Sequence, residues 1–202
     1  MGIKMLTEDK VDKFLKQGYI HLKNVIDPTK LAETRRLAIS LKQEYKDKDG
    51  EGRDNGTGKF WLGLEMASTL DPRLWHYYTD PVMFELAKSL LQVNEPYLYN
   101  DQVVVKLPGD DLHFEPHYDN QYCKDPEAAL RGEFKTINFC QILTNMPEET
   151  GPLSCFNNET QQYDLLPADA GDIIAIDGNT PHSSTHNIGD WQSGFFTQKF
   201  PQ

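Results

Sequence analysis

From Gly132 to its last residue the chain contains no arginine. No bidentate guanidinium can therefore come from that third of the sequence, and an anion held there must rely on lysine, hydroxyl or amide donors. Cysteine is scarce too: Cys123, Cys140 and Cys155 are odd in number and show no Cys-X-X-Cys spacing, which argues against a disulfide framework or a structural zinc site. Basic residues are few, 20 against 31 acidic, giving a net charge of −11. Such a surface repels nucleic-acid phosphate and anionic membranes, so neither is expected as a partner. Apolar runs fall short of the roughly 20 residues that span a bilayer, and Met1-Gly2-Ile3-Lys4-Met5 leads into an amphipathic segment rather than a signal peptide. A cytoplasmic, soluble protein is the expectation. Without internal repeats or low-complexity stretches, residues 1–202 read as one domain.

The sequence has a helical front and a strand-rich back. Thr7 is placed to cap a helix that starts with Glu8 and Asp9, carries Val11, Phe14 and Leu15 on one stripe, and ends near Gly18. Tyr19-Ile20-His21-Leu22 reads as a short strand, Asp27-Pro28 opens a second helix running to about Tyr45, and 46–59 reads as a solvated loop. A third helix fits 81–91, with Asp80 as N-cap and Pro81 at the first helical position. Short β runs follow at 97–107, 136–143, 171–176 and 194–200. Gly, Pro, Asn and Asp punctuate them, which suits an antiparallel sandwich. The fold class is mainly β with flanking N-terminal helices, around a double-stranded β-helix or jelly-roll core.

Two histidine clusters carry the chemistry. His117-Tyr118-Asp119 places an imidazole and a carboxylate two residues apart, on one face if the segment is an extended strand. Thr180-Pro181-His182, 63 residues after Asp119, supplies a third donor from a distant strand. Two histidines and one carboxylate make the facial triad of non-haem Fe(II) sites, which leaves the opposite coordination face open. Three alternatives stand beside this reading. His117 and Asp119 can be a hydrogen-bonded surface pair, His186 competes with His182, and His113 with Glu115 is a second metal pair on the same face if the pleat holds. Tyr118, Tyr122, Trp61 and Trp191 are placed to line a substrate mouth, or to serve packing alone.

The order of these segments resembles the phytanoyl-CoA dioxygenase family of iron and 2-oxoglutarate-dependent oxygenases over nearly the whole chain. Leu6-Thr7-Glu8 through Phe14, Gly18-Tyr19-Ile20 and Val25-Ile26-Asp27 resemble its opening helix and strand. Lys106-Leu107-Pro108-Gly109 is similar to the approach to its first ligands. Glu149-Thr150-Gly151-Pro152-Leu153 and Gly171-Asp172 resemble later turns, and Asn187 follows His182 at the family's five-residue offset. The resemblance implies His117, Asp119 and His182 as ligands of Fe(II), with 2-oxoglutarate and O2 as cosubstrates and a small molecule as substrate. Halogenating relatives lack the carboxylate, so Asp119 points to hydroxylation or a related oxidation. By position, Asn100, Gln102 and Ser184 face the cosubstrate, with Lys106 sharing the face of Gln102.

Two departures matter. Members carry an arginine about ten residues past the distal histidine, and here Asp190-Trp191-Gln192-Ser193-Gly194 covers that place. Ser193 stands closest to it. Lys199, six residues on and roughly 20 Å along an extended strand, is a substitute cation only in another register. The family's Pro-Gly-Ser-His-like turn is replaced by Ser154-Cys155-Phe156-Asn157-Asn158. A cupin-like metal enzyme without 2-oxoglutarate chemistry, or a silent binding module, accounts for the same triad and the same missing arginine.

Overall fold

The computed structural model describes residues 6–45, 63–65, 71–106, 108, 113–190 and 193–201. The expected loop at 46–59, Trp61 and Trp191 lie outside these residues.

Helix α1, Glu8–Gln17, begins at Thr7 without a side-chain capping bond, so its acidic first turn is what favours the positive end of the helix. It ends at Gly18, whose φ of 87° closes the helix in the left-handed region. A Cβ at Gly18 would also lie 2.2 Å from Thr180 Oγ1. Only glycine fits both demands. Strand β1, Tyr19–Leu22, leads to α2, Pro28–Tyr45, at whose start the Asp27 carboxylate accepts from the N–H groups of Thr29 and Lys30. Helix α3, Pro81–Leu91, starts as expected, with Asp80 accepting from the Val82 N–H.

Two antiparallel sheets face each other. The six-stranded sheet has the order β1-β8-β5-β10-β3-β2, where β2 is Gly63–Glu65, β3 Asn100–Lys106, β5 Thr136–Ile142, β8 Ile173–Asp177 and β10 Ser193–Pro201. The four-stranded sheet has the order β4-β9-β6-β7, with β4 Phe114–His117, β6 Leu153–Asn157, β7 Gln162–Leu166 and β9 His182–Ser184. Val104, Cys140, Ile142, Leu153 and Cys155 fill the space between the sheets. On the opposite face of the larger sheet, Ile137, Phe139 and Ala175 pack with Phe14, Leu86 and Leu90, and Val103 and Val105 pack with Leu37 and Leu41. Each fully buried Leu, Ile or Phe contributes roughly 1.5–3 kcal/mol. A sheet covered on both faces needs apolar residues at successive positions, so β1, β3, β5, β8 and β10 read as apolar runs in the sequence, whereas the three-residue edge strand β2 does not. The smaller sheet is not legible in this way: β7 is half solvated and β9 spans three residues.

Candidate metal centre

Strand β4 pairs with β9 so that His117 lies directly opposite His182, with ring centroids 4.4 Å apart. Asp119 joins them, and one ligand atom from each of the three residues lies within 4.8 Å of the others. The route to this arrangement differs from a continuous strand. β4 ends at His117, Tyr118 stays extended (φ −124°, ψ 140°), and Asp119 opens a 3-10 turn, Asp119–Tyr122. Asn120 pins that turn: its N–H donates to the Gly178 carbonyl at 2.9 Å, and its side chain bonds Asn179 and Thr136.

Backbone carbonyls orient both imidazoles. His117 Nδ1 lies 2.7 Å from the Glu115 carbonyl oxygen and His182 Nδ1 lies 3.0 Å from that of Thr180. A carbonyl can only accept, so each Nδ1 carries the proton and each Nε2 keeps a free lone pair. Thr180 in turn donates its hydroxyl to the Gly18 carbonyl at 2.9 Å, so the helix-ending glycine helps fix the distal histidine. Burial pushes the His182 pKa down, partly opposed by Asp119, which favours the neutral ring. Burial pushes Asp119 up, but the Lys199 ammonium and the two imidazoles outweigh it and hold the carboxyl well below the usual carboxylate range. An ionised Asp119 carboxylate beside a His182 ring that burial keeps neutral suits a divalent ion, and the O/N donor set of His117, Asp119 and His182 fits Fe(II).

The competing donors fall elsewhere. A bulge between Phe114 and His117 breaks the pleat, so His113 and Glu115 do not share a strand face with His117. His113 instead bonds exposed Glu115 at 3.1 Å and stacks on His186, centroids 4.2 Å apart. Among the described residues, the grouping of three metal-capable donors contains neither histidine. The ring of Tyr122, 74% exposed, lies 6.1 Å from that of His117.

At the other end of the intersheet space lies Lys106, 1% exposed. Its ammonium donates to Ser184 Oγ at 2.8 Å and to the carbonyls of Gly151 and Thr185 at 2.9 and 2.6 Å. Gly151 has φ 70°, and a Cβ there would meet the Thr185 carbonyl oxygen at 2.2 Å, so the cradle needs glycine. Among the described residues no carboxylate pairs with Lys106, and burial lowers its pKa to about 7. Ser193 is the register partner of Lys106 across β3 and β10. Asn100 and Gln102 lie on the same inward face of β3 as Lys106.

Two residues of the centre were not assigned from sequence. Lys199 is no neighbour of Ser193: it sits at the far end of β10 and donates to Asp119 Oδ1 at 2.7 Å. Asn138 Nδ2 donates to Asp119 Oδ2 at 2.9 Å. The available signal was Asn138 itself, an amide inside an apolar strand that a sandwich core buries only for a partner. Lys199 pairs across the sheet with both Asn100 and Asn138, whose Oδ1 atoms are buried and have no hydrogen-bond partner among the described residues.

A family model described as phytanoyl-CoA dioxygenase matches residues 14–157. Among solved structures, SnoK, a non-heme alpha ketoglutarate dependent carbocyclase from nogalamycin biosynthesis, superposes with a TM-score of 0.80 at 18% identity, over 100% of this chain and 87% of that one. EctD from S. alaskensis, solved with 2-oxoglutarate and 5-hydroxyectoine, gives 0.80 at 15% identity, over 96% of this chain and 76% of that one. AviO1 from Streptomyces viridochromogenes Tue57 gives 0.77 at 15%, over 100% and 97%. At such identities the likeness is one of fold. No curated protein sequence matches. The family model covers more than half the sequence, from α1 through β6 and including His117 and Asp119, and the chain belongs to the phytanoyl-CoA dioxygenase family.

Proposed function

We propose that the protein is a non-haem Fe(II)- and 2-oxoglutarate-dependent dioxygenase that oxidises a small molecule, by hydroxylation. The observation that carries this reading is the grouping of His117, Asp119 and His182 within 4.8 Å, with both Nδ1 atoms committed to backbone carbonyls. These three residues would hold the ion. Ferrous iron held there would supply the chemistry in which O2 gives one oxygen atom to 2-oxoglutarate, forming succinate and carbon dioxide, and the other to a substrate C–H bond.

The chain's own part is binding and orientation. Asn100, Gln102, Lys106, Ser184 and Ser193 form the cosubstrate side, and Lys106 is the group suited to the distal carboxylate. A buried carboxylate without a cation carries a penalty of several kcal/mol, and Lys106 carries the mirror-image penalty. Pairing the two relieves both, which is how a chain without the family's arginine retains a cationic anchor. Ser184, two residues past His182, links that anchor to the metal centre through its hydroxyl. Val104, Phe114 and Leu153 between the sheets keep water from the path.

Purified protein given ferrous iron, 2-oxoglutarate and oxygen should release succinate even without substrate. Anaerobic titration of the iron-loaded protein with 2-oxoglutarate should develop a metal-to-ligand charge-transfer band. The missing arginine favours a second reading, a cupin-like metal enzyme or binding module that ignores 2-oxoglutarate. Iron binding with neither succinate nor the band at millimolar cosubstrate would select it.

A further inference from the structure

The two unpartnered amide oxygens flank one residue. Asn100, Lys199 and Asn138 are consecutive cross-strand neighbours on β3, β10 and β5. Such neighbours have Cα atoms only ~4.5–5.5 Å apart, within reach of a lysine side chain on either side. The Asn138 orientation is fixed, because its Nδ2 donates to Asp119 Oδ2. Its Oδ1 must therefore point away from that carboxylate, and it is buried without a donor among the described residues, as is Asn100 Oδ1. Leaving a buried acceptor unsatisfied is costly, and two of them on the residues that flank one lysine is a pattern that needs a cause. Meanwhile the ammonium is on Asp119 Oδ1 at 2.7 Å, where it meets the same carboxylate that a metal ion would need. An ammonium and a divalent cation on one carboxylate oxygen repel each other strongly in a site with so little water.

We infer that Lys199 is an internal cation that occupies Asp119 in the metal-free protein and yields it to the metal by moving its ammonium onto the side-chain oxygens of Asn100 and Asn138. This rests on the metal reading given above. Each group is then satisfied in one of two states: Asp119 keeps a cation throughout, and the orphaned acceptors gain their donor when the ion arrives. Lys199 acts as a positioning residue that sets how tightly iron is held, and it guards a buried carboxylate while the site is empty.

The test is anaerobic titration of ferrous iron into wild-type protein and Lys199→Met, which keeps the stem and removes the charge. Lys199→Met should bind iron roughly ten- to hundredfold more tightly, the size of a charge-assisted hydrogen bond that no longer has to be broken. Its metal-free form should melt below wild type, and iron should close that gap. Equal or weaker iron binding would overturn the inference, because a lysine that merely holds Asp119 in place can only help the metal. Asn100→Ala should weaken iron binding in wild type and leave Lys199→Met unchanged; equal weakening in both backgrounds counts against the acceptor role. Should Lys199→Met not fold, the side-chain amine 15N signal of Lys199 in wild type decides: it should shift when Zn2+ is added, and a stationary signal refutes displacement. Failure of wild type and variant alike to bind either ion would remove the metal reading itself.

Discussion

Lys106 and Lys199 lie on neighbouring strands, project into the same intersheet space, and live under opposite electrostatic terms. Lys199 meets its counter-charge inside the chain, on Asp119, with its own side chain 18% exposed. Lys106 is more deeply buried and has only neutral oxygens around it, so its charged form is disfavoured. Evolution of a stable core alone would not leave a cation in that position, since an unpaired buried charge is destabilising. The contrast separates a charge that the protein neutralises within the chain from one that it surrounds with neutral oxygens, and the proposed function takes the second as the seat of the ligand's anionic end.

The strongest way to break the contrast is Asp119→Ala, which turns Lys199 into a second unpaired cation. Ferrous binding and succinate formation should both be lost, and urea denaturation should show about 2–3 kcal/mol less stability in the metal-free protein. His182→Ala should lose iron equally, whereas His186→Ala should keep it. If the two exchanged behaviours, the distal donor would be His186. Next in size is Lys106→Met. Iron affinity should stay as it is, while the 2-oxoglutarate dissociation constant rises about ten- to hundredfold, read from the anaerobic charge-transfer titration. An unchanged constant would mean that the distal carboxylate is held elsewhere.

The difference between the two lysines was only half visible in sequence. Both were noticed, but spacing alone could not say which end of a strand faces which ligand. Lys199 and Ser193 stand at opposite ends of β10; what a one-dimensional reading cannot supply is the 3-10 turn that brings Asp119 to the Lys199 end of that strand. The four long apolar strands and the three principal helices were legible because continuous burial and capping residues mark them locally. Strands β4 and β9 depend on partners distant in sequence, β6 and β7 form a hairpin whose outer strand is half solvated, and the bulge in β4 that removes His113 from the metal face has no local signature. His-X-Asp alone occurs often by chance, and His117, Asp119 and His182 could be named together because the order of the surrounding segments resembles the family; Asn138 needed the register of β5 against β10 before its contact with Asp119 appeared.

A pH series sharpens the contrast with a smaller effect. Burial lowers the Lys106 pKa to about 7, below its ordinary value, and a bound carboxylate favours the charged form and raises it again. Binding of 2-oxoglutarate therefore takes up a proton once the pH exceeds about 7. Affinity should be flat below that point and fall as the pH rises, by about fivefold between pH 7 and 8. Lys106→Arg, which stays protonated throughout, should flatten the profile. A slope that survives in Lys106→Arg would assign the proton to another group.

The smallest expected effect tests whether the place of the missing arginine is still competent. Ser193 is directly opposite Lys106 in the β3–β10 register, so a guanidinium introduced there approaches the same anion from the neighbouring strand. In wild type, Ser193→Arg sets two cations side by side, and their repulsion should cancel most of the gain. In the Lys106→Met background that repulsion is gone, and the planar fork of arginine can take a carboxylate with two parallel bonds. Ser193→Arg should then recover about threefold in 2-oxoglutarate affinity, part of what Lys106→Met removes, and the recovered binding should be independent of pH between 7 and 8. No recovery would show that the distal carboxylate does not reach the Lys106 end of β10, and the account of Lys106 as its anchor would have to be given up with it.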